Sequence, residues 1–139
     1  MTKIQQIMTA DPICLSQHSD VHKARMLMAE KSIRHIPVKD VENNQLVGLV
    51  SQKSLLANAI KIINQRGLEQ LEHEEKSLSL ADIMNKTPLT CDINTSLLDA
   101  AQLLLSRKGG CVVVLDNDKI SGVITSNDFV KLAVNQLSE

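Results

Sequence analysis

The chain repeats itself, and that limits its fold more than any other feature. An offset of 76 residues aligns Ile7 with Ile83, Met8 with Met84, Pro12 with Pro88, Ala24 with Ala100, Leu27 with Leu103, Val38 with Val114 and Asp40 with Asp116. After a turn that is two residues shorter in the second copy, Gly48 aligns with Gly122. So many identities in one register mark two copies of one supersecondary unit. A unit of roughly 60 residues buries too little apolar surface to be secure alone. The repeat therefore predicts two copies packed sheet to sheet about a pseudo-two-fold, burying one shared core.

Each copy reads β-α-β-β-α, preceded by a short cap helix. Thr2-x-x-Gln5 before Ile7-Met8, and Ser79-x-x-Asp82 before Ile83-Met84, have the form of capping boxes. Pro12 and Pro88 end these caps and open the extended runs Ile13-Cys14-Leu15 and Leu89-Thr90-Cys91. Ser19 and Thr95 are placed to N-cap the next helix. Its inner face is Val21, Ala24, Leu27 and Met28 in one copy and Leu97, Ala100, Ala101, Leu103 and Leu104 in the other. Two strands joined by an Asx-rich turn follow, at 33–38 and 46–50, then at 111–115 and 120–125. A last helix carries Leu55, Leu56, Ala59, Ile60 and Ile63, or Phe129, Val130, Leu132, Ala133 and Leu137. The expected class is α+β, with small mixed sheets flanked by helices. Repeat 1 spans 1–64, a linker 65–79 and repeat 2 80–139. Gln65-Arg66-Gly67 stops a helix, and the acidic cluster at 69–75 reads as a solvated helix face.

Composition narrows the function. The net charge is −1 and the one aromatic residue is Phe129. Neither the basic surface nor the stacking platforms of a nucleic-acid binder are present. Three cysteines without a CxxC spacing argue against a disulfide framework or a zinc knot. His18, Asp20 and His22 lie close in sequence, but a helix starts between them, which does not favour a metal site. The N-terminal residues have no signal-peptide character, and no run approaches the ~18 apolar residues of a membrane span. These features predict a cytoplasmic, reduced protein. No motif sets a general base beside a Ser or Cys, so an enzyme is not expected.

The motifs Ile7-Met8-Thr9-x-x-Pro12, Arg34-His35-Ile36-Pro37-Val38 and Gly48-Leu49-Val50-Ser51 resemble the CBS (cystathionine-β-synthase) domain family. The second copy carries Ile83-Met84-x-x-x-Pro88, Val112-Val113-Val114 and Gly122-Val123-Ile124-Thr125-Ser126-Asn127-Asp128. The resemblance covers nearly the whole chain except the linker, as a stand-alone pair of CBS repeats. It implies two clefts, each able to hold an adenine nucleotide or adenosyl compound such as AMP, ADP, ATP, S-adenosylmethionine or NAD. It also implies a ligand rather than a catalytic cofactor, pairing into a homodimer, and an unknown regulated protein as partner.

In that family the Ser/Thr-x-x-Asp after the last strand of one copy binds ribose and phosphate, and the other copy supplies the base contacts and a cation. Carried onto this chain, one cleft has Thr125, Asn127 and Asp128 from repeat 2 and Arg34 and His35 from repeat 1. Its base lies against Ile13, Ile33 and Val123. The other cleft has Ser51-Gln52-Lys53-Ser54, so Ser54 stands where Asp128 would, and Gly110-Cys111 replaces Arg34-His35. The resemblance therefore implies one competent site and one degenerate site. The competing reading is a dimeric interaction scaffold that has lost ligand binding; Thr125-x-x-Asp128 is also a plain helix cap.

Overall fold

The computed structural model describes residues 2–106 and 110–138. In chain order the elements are α1 (Ile4–Ile7), β1 (Thr9–Ala10), β2 (Leu15–Ser16), α2 (Val21–Lys31), β3 (His35–Lys39), β4 (Leu46–Ser51) and α3 (Gln52–Arg66). A 3-10 turn (Leu68–Gln70), α4 (Leu71–Lys76) and a second 3-10 turn (Leu80–Asp82) lead to β5 (Thr90–Asp92), α5 (Leu97–Ser106), β6 (Cys111–Asp116), β7 (Lys119–Thr125) and α6 (Ser126–Leu137). Among the described residues, no helix is long and apolar enough to cross a membrane.

The elements gather into two compact units, Ile13–Thr87, and Met1–Pro12 with Pro88–Glu139. The boundaries fall at the equivalent prolines, so each repeat lends its cap segment to the unit built mainly from the other. The first unit holds the sheet β2-β3-β4, the second the sheet β1-β7-β6-β5. β2 and β5 run parallel to β3 and β6, which pair antiparallel with β4 and β7. The lent segments dock in the same register. Thr9 pairs with Val123, and Asn85 bridges to Leu49.

Each unit has its own cluster of buried side chains. In Ile13–Thr87, Leu15, Val21, Ala24, Met28, Ile36, Val38, Val50 and Leu55 cluster with the lent Leu80, with Ile83 and Met84 packed against them. In the other unit, Cys91, Ala100, Val112, Val114 and Ile124 cluster with the lent Ile4, with Met8 alongside. Exchanging the caps lets each unit close its own core. The glycines aligned by the repeat make this possible. A Cβ on Gly122 would stand 2.5 Å from Met8 Sδ, and one on Gly48 2.5 Å from Met84 Sδ. The bare backbone leaves room for the methionine of each lent segment.

Several helix ends shift by one residue from the sequence expectation. Asp20, not Ser19, caps α2 by accepting from Lys23 N–H at 2.8 Å. Ser96, not Thr95, accepts from Asp99 N–H at 3.1 Å, while Thr95 turns back to Asp92 N–H. At α1, Gln6 rather than Gln5 reaches back, to Lys3 N–H. Ser79 and Asp82 do pair as expected, at 3.1 Å. After α2, Ser32 is left-handed at φ 54 and Ile33 N–H returns to Met28 O. That turn uses up Ile33 and Arg34, so β3 begins at His35. The second hairpin turns on Asn117 and Asp118, with φ 50 and 65, a pair of positive values typical of a tight two-residue hairpin.

The acidic linker is the clearest departure. Glu75 was expected on a solvated face, but its side chain is 0% exposed. Arg25 Nε donates to both its oxygens, at 3.0 and 2.8 Å, and Arg25 Nη2 donates to Oε1 at 2.9 Å. A carboxylate out of water needs such partners. The hydrogen bond to Glu75 is the main cause that raises the Arg25 pKa, so the guanidinium is held in its charged form.

Candidate functional site

Two clusters of the expected ligand residues form, one in each unit. In the unit with Pro88–Glu139, β7 runs into α6 at Thr125. Its extended backbone, φ −124 and ψ 169, makes it the N-cap. Asp128 folds back, and its Oδ2 accepts from Thr125 N–H at 2.8 Å, with Thr125 Oγ1 at 3.5 Å. Both contacts with Thr125 fall on Oδ2 rather than on Oδ1. The junction therefore presents a carboxylate oxygen beside the free N–H groups of a helix start, where the macrodipole favours an anion. Asn127 is exposed on the first turn. Val123 lies two residues upstream, between Thr9 of β1 and Val113 of β6.

Cys111 stands directly opposite Thr125 in the β6–β7 ladder and is 1% exposed. Burial pushes its thiol up to about 12, and the charge of Asp128 adds to the shift. Cys111 is thus a neutral core thiol that backs the junction.

In the unit Ile13–Thr87, His35 opens β3 in register with Ser51. Arg34 immediately precedes it with an exposed side chain, and its carbonyl accepts from Gln52 N–H at 2.8 Å. This bond ties the cation's backbone to the start of α3. Ile13 is 38% exposed ahead of β2. Ile33 packs partly against the core of this unit.

The β4–α3 junction is the internal counterpart of β7–α6, and it is chemically different. Ser54 N–H donates to Ser51 Oγ at 3.1 Å, and Ser54 Oγ donates to Ser51 O at 2.9 Å. The two serines spend their hydrogen bonds on each other and bring no charge. His22, which sequence reading set aside with His18 and Asp20, turns to α4. Its Nδ1 lies 3.1 Å from Glu75 Oε1. The inner position of Glu75 had one sequence signal, the helical spacing of Leu71, Glu75 and Leu78.

A CBS domain family profile matches residues 4–61 and again 80–135. The chain belongs to the CBS domain family, as a tandem pair. It is similar to YlbB of Bacillus subtilis, 27% identical over 129 residues that cover 93% of this chain and 80% of that protein. Of three longer proteins of Methanocaldococcus jannaschii it spans only 31%, 44% and 39%. Among solved structures it is similar to CBSX2 from Arabidopsis thaliana, 31% identical with TM-score 0.82 over 99% of this chain and 97% of that one. A CBSX2 structure in complex with AMP matches at 30% identity and TM-score 0.78, over the full length of both chains. The CBS pair of MJ0100, solved with 5'-methylthioadenosine and S-adenosyl-L-methionine, shares the fold at 20% identity and TM-score 0.78, over 98% of each chain.

Proposed function

We propose that this chain is a ligand-sensing regulatory module that binds one adenine nucleotide or adenosyl compound per chain and catalyses no reaction itself. The observation that carries the reading is the β7–α6 junction. Asp128 is fixed by Thr125 N–H at 2.8 Å, with a carboxylate oxygen left to accept from ribose hydroxyls. Charge-assisted hydrogen bonds of this kind are the stronger sort. The N–H groups at the start of α6, with Asn127, suit a phosphate. Arg34 and His35 supply cationic and polar contacts to the same ligand, Arg34 by forking onto phosphate oxygens. Ile13, Ile33 and Val123 give the base an aliphatic surface. AMP in CBSX2, a 30% identical structure, supports the ligand class.

Ligand occupancy signals only if it favours one conformation over another. The output is a change that a regulated protein reads. Self-association into a homodimer fits the apolar side chains left exposed, Leu56 and Ile60 on α3 and Val130, Val134 and Leu137 on α6. The three cysteines are thiols rather than disulfides and suit a reducing compartment such as the cytoplasm. The rival scaffold reading draws on the spent Ser51–Ser54 junction.

Calorimetric titration with AMP and with adenosine separates the two readings. We expect AMP to bind at one site per chain, and Arg34→Ala to weaken AMP by about tenfold or more while changing adenosine little, as fits a lost charged contact. Flat titrations with AMP, ATP, S-adenosylmethionine and adenosine alike would leave only the scaffold.

A further inference from the structure

We infer that α2 and the linker helix α4 form a proton-responsive clasp, with His22 as its sensing group. Both ring nitrogens of His22 face carboxylates of α4: Nδ1 is 3.1 Å from Glu75 Oε1 and Nε2 is 3.3 Å from Glu72 Oε1. A neutral imidazole carries one N–H. It donates to one of these oxygens and turns a lone pair toward the other. The imidazolium carries an N–H on each nitrogen and a positive charge, so the hydrogen bond to Glu75 together with the ion pair to Glu72 belongs to the protonated ring.

On loss of the proton the Glu72 contact is the one given up. Glu72 is 63% exposed and also pairs with Lys76 at 3.3 Å, whereas Glu75 is wholly buried. The charged groups facing the ring are Glu72, Glu75 and Lys76 from α4 and Arg25 from α2. Asp20 is engaged with Lys23 N–H and Asp82 with Ser79. Arg25 and Lys76 share the carboxylates and temper the gain, but they do not replace the N–H that a neutral ring lacks.

The clasp secures more than α4. Just beyond it, Val21 N–H donates to Leu78 O, Leu80 N–H to Ser19 O and Ala81 N–H to Gln17 O, at 2.9, 2.9 and 3.1 Å. The linker is thereby zipped to the loop that follows β2. The device belongs to the first repeat alone. By the repeat register, Leu98 stands at the place of His22 and Ala101 at that of Arg25. Acid therefore tightens the hold of the linker on this unit, and alkali relaxes it to a one-sided contact.

Thermal unfolding of the full chain at pH 6 and pH 8 tests this. The Tm advantage of the unmodified protein over His22→Gln should be larger at pH 6 than at pH 8 by about 3 °C, the shift expected for a contact worth just under 1 kcal/mol in a chain of this size. Glu72→Gln, an exposed substitution that leaves Glu75 in place, should abolish that increment. An advantage equal at the two pH values would overturn the inference. So would a Glu72→Gln chain that keeps the full increment, or ring-nitrogen NMR shifts that show a neutral His22 at pH 6.

Discussion

Replacing Arg25 with Ala will cost the fold about 3 kcal/mol, the low end of the range for stripping one partner from a buried ion pair. The low end applies because Arg25 is itself 29% exposed while Glu75 is 0% exposed. Without the guanidinium, Glu75 loses three hydrogen bonds and, among the described residues, its carboxylate keeps His22 alone. An ionised carboxylate out of water then has to be neutralised or the linker has to open. The double variant Arg25→Met with Glu75→Leu should lose far less, because apolar residues of similar volume commonly match a buried pair in stability. Urea unfolding of the single and double variants checks this. A single-variant loss within about 0.5 kcal/mol would mean that the pair behaves like an exposed surface bridge and that α4 is not anchored through Glu75.

Asp128→Ala will weaken AMP binding by about ten- to a hundredfold, corresponding to roughly 1.5–3 kcal/mol for a hydrogen bond to a charged group. Structure and binding both change in this variant, because Asp128 also caps Thr125 N–H at 2.8 Å, and loss of a cap costs about 1 kcal/mol of stability. Asp128→Asn separates the effects. It keeps an acceptor for the cap but loses the charge and half the acceptors that ribose hydroxyls use. We expect Asp128→Asn to be nearly as stable as the unmodified chain yet to bind AMP much more weakly. Ser54→Ala should leave AMP binding unchanged, since among the described residues the Ser54 hydroxyl is spent on Ser51. The reverse pattern, with Ser54→Ala abolishing binding and Asp128→Ala sparing it, would assign the ligand to the other junction. Calorimetry on the three variants reads both outcomes.

Much of the fold was legible because the repeat is local and periodic. The offset of 76 orders the elements, and period-two and helical patterns type them. The boxes Ser79/Asp82 and Thr125/Asp128 form as their spacing predicts. Cap identity was less legible where two good capping residues stand side by side. Ser19 precedes Asp20, and Thr95 precedes Ser96; in both pairs the second takes the cap, which moves the helix start by one. Helix ends are indeterminate at that scale.

Two larger features depend on pairings distant in sequence. The lending of cap segments rests on Thr9 meeting Val123 and Asn85 meeting Leu49, and no local pattern specifies a partner strand. Glu75 is buried because Arg25 and His22 wait for it 50 and 53 residues away. Composition around Glu75 describes a solvated helix, and only the spacing of Leu71, Glu75 and Leu78 hints at the inner face. The candidate ligand residues were read from the repeat and the family resemblance together. The distinction between the two junctions is already in the sequence, as Asp128 against Ser54, and its consequence is visible in the hydrogen bonds each one makes.

Native mass spectrometry of the purified full chain tests the central claim most directly. The account predicts adducts of adenosyl mass, one per 15.3 kDa chain, on a dimer, lost in Asp128→Asn and restored to the unmodified chain by added AMP. A chain that carries no such adduct, and takes up none when AMP, ATP, S-adenosylmethionine and adenosine are supplied in excess, would contradict it.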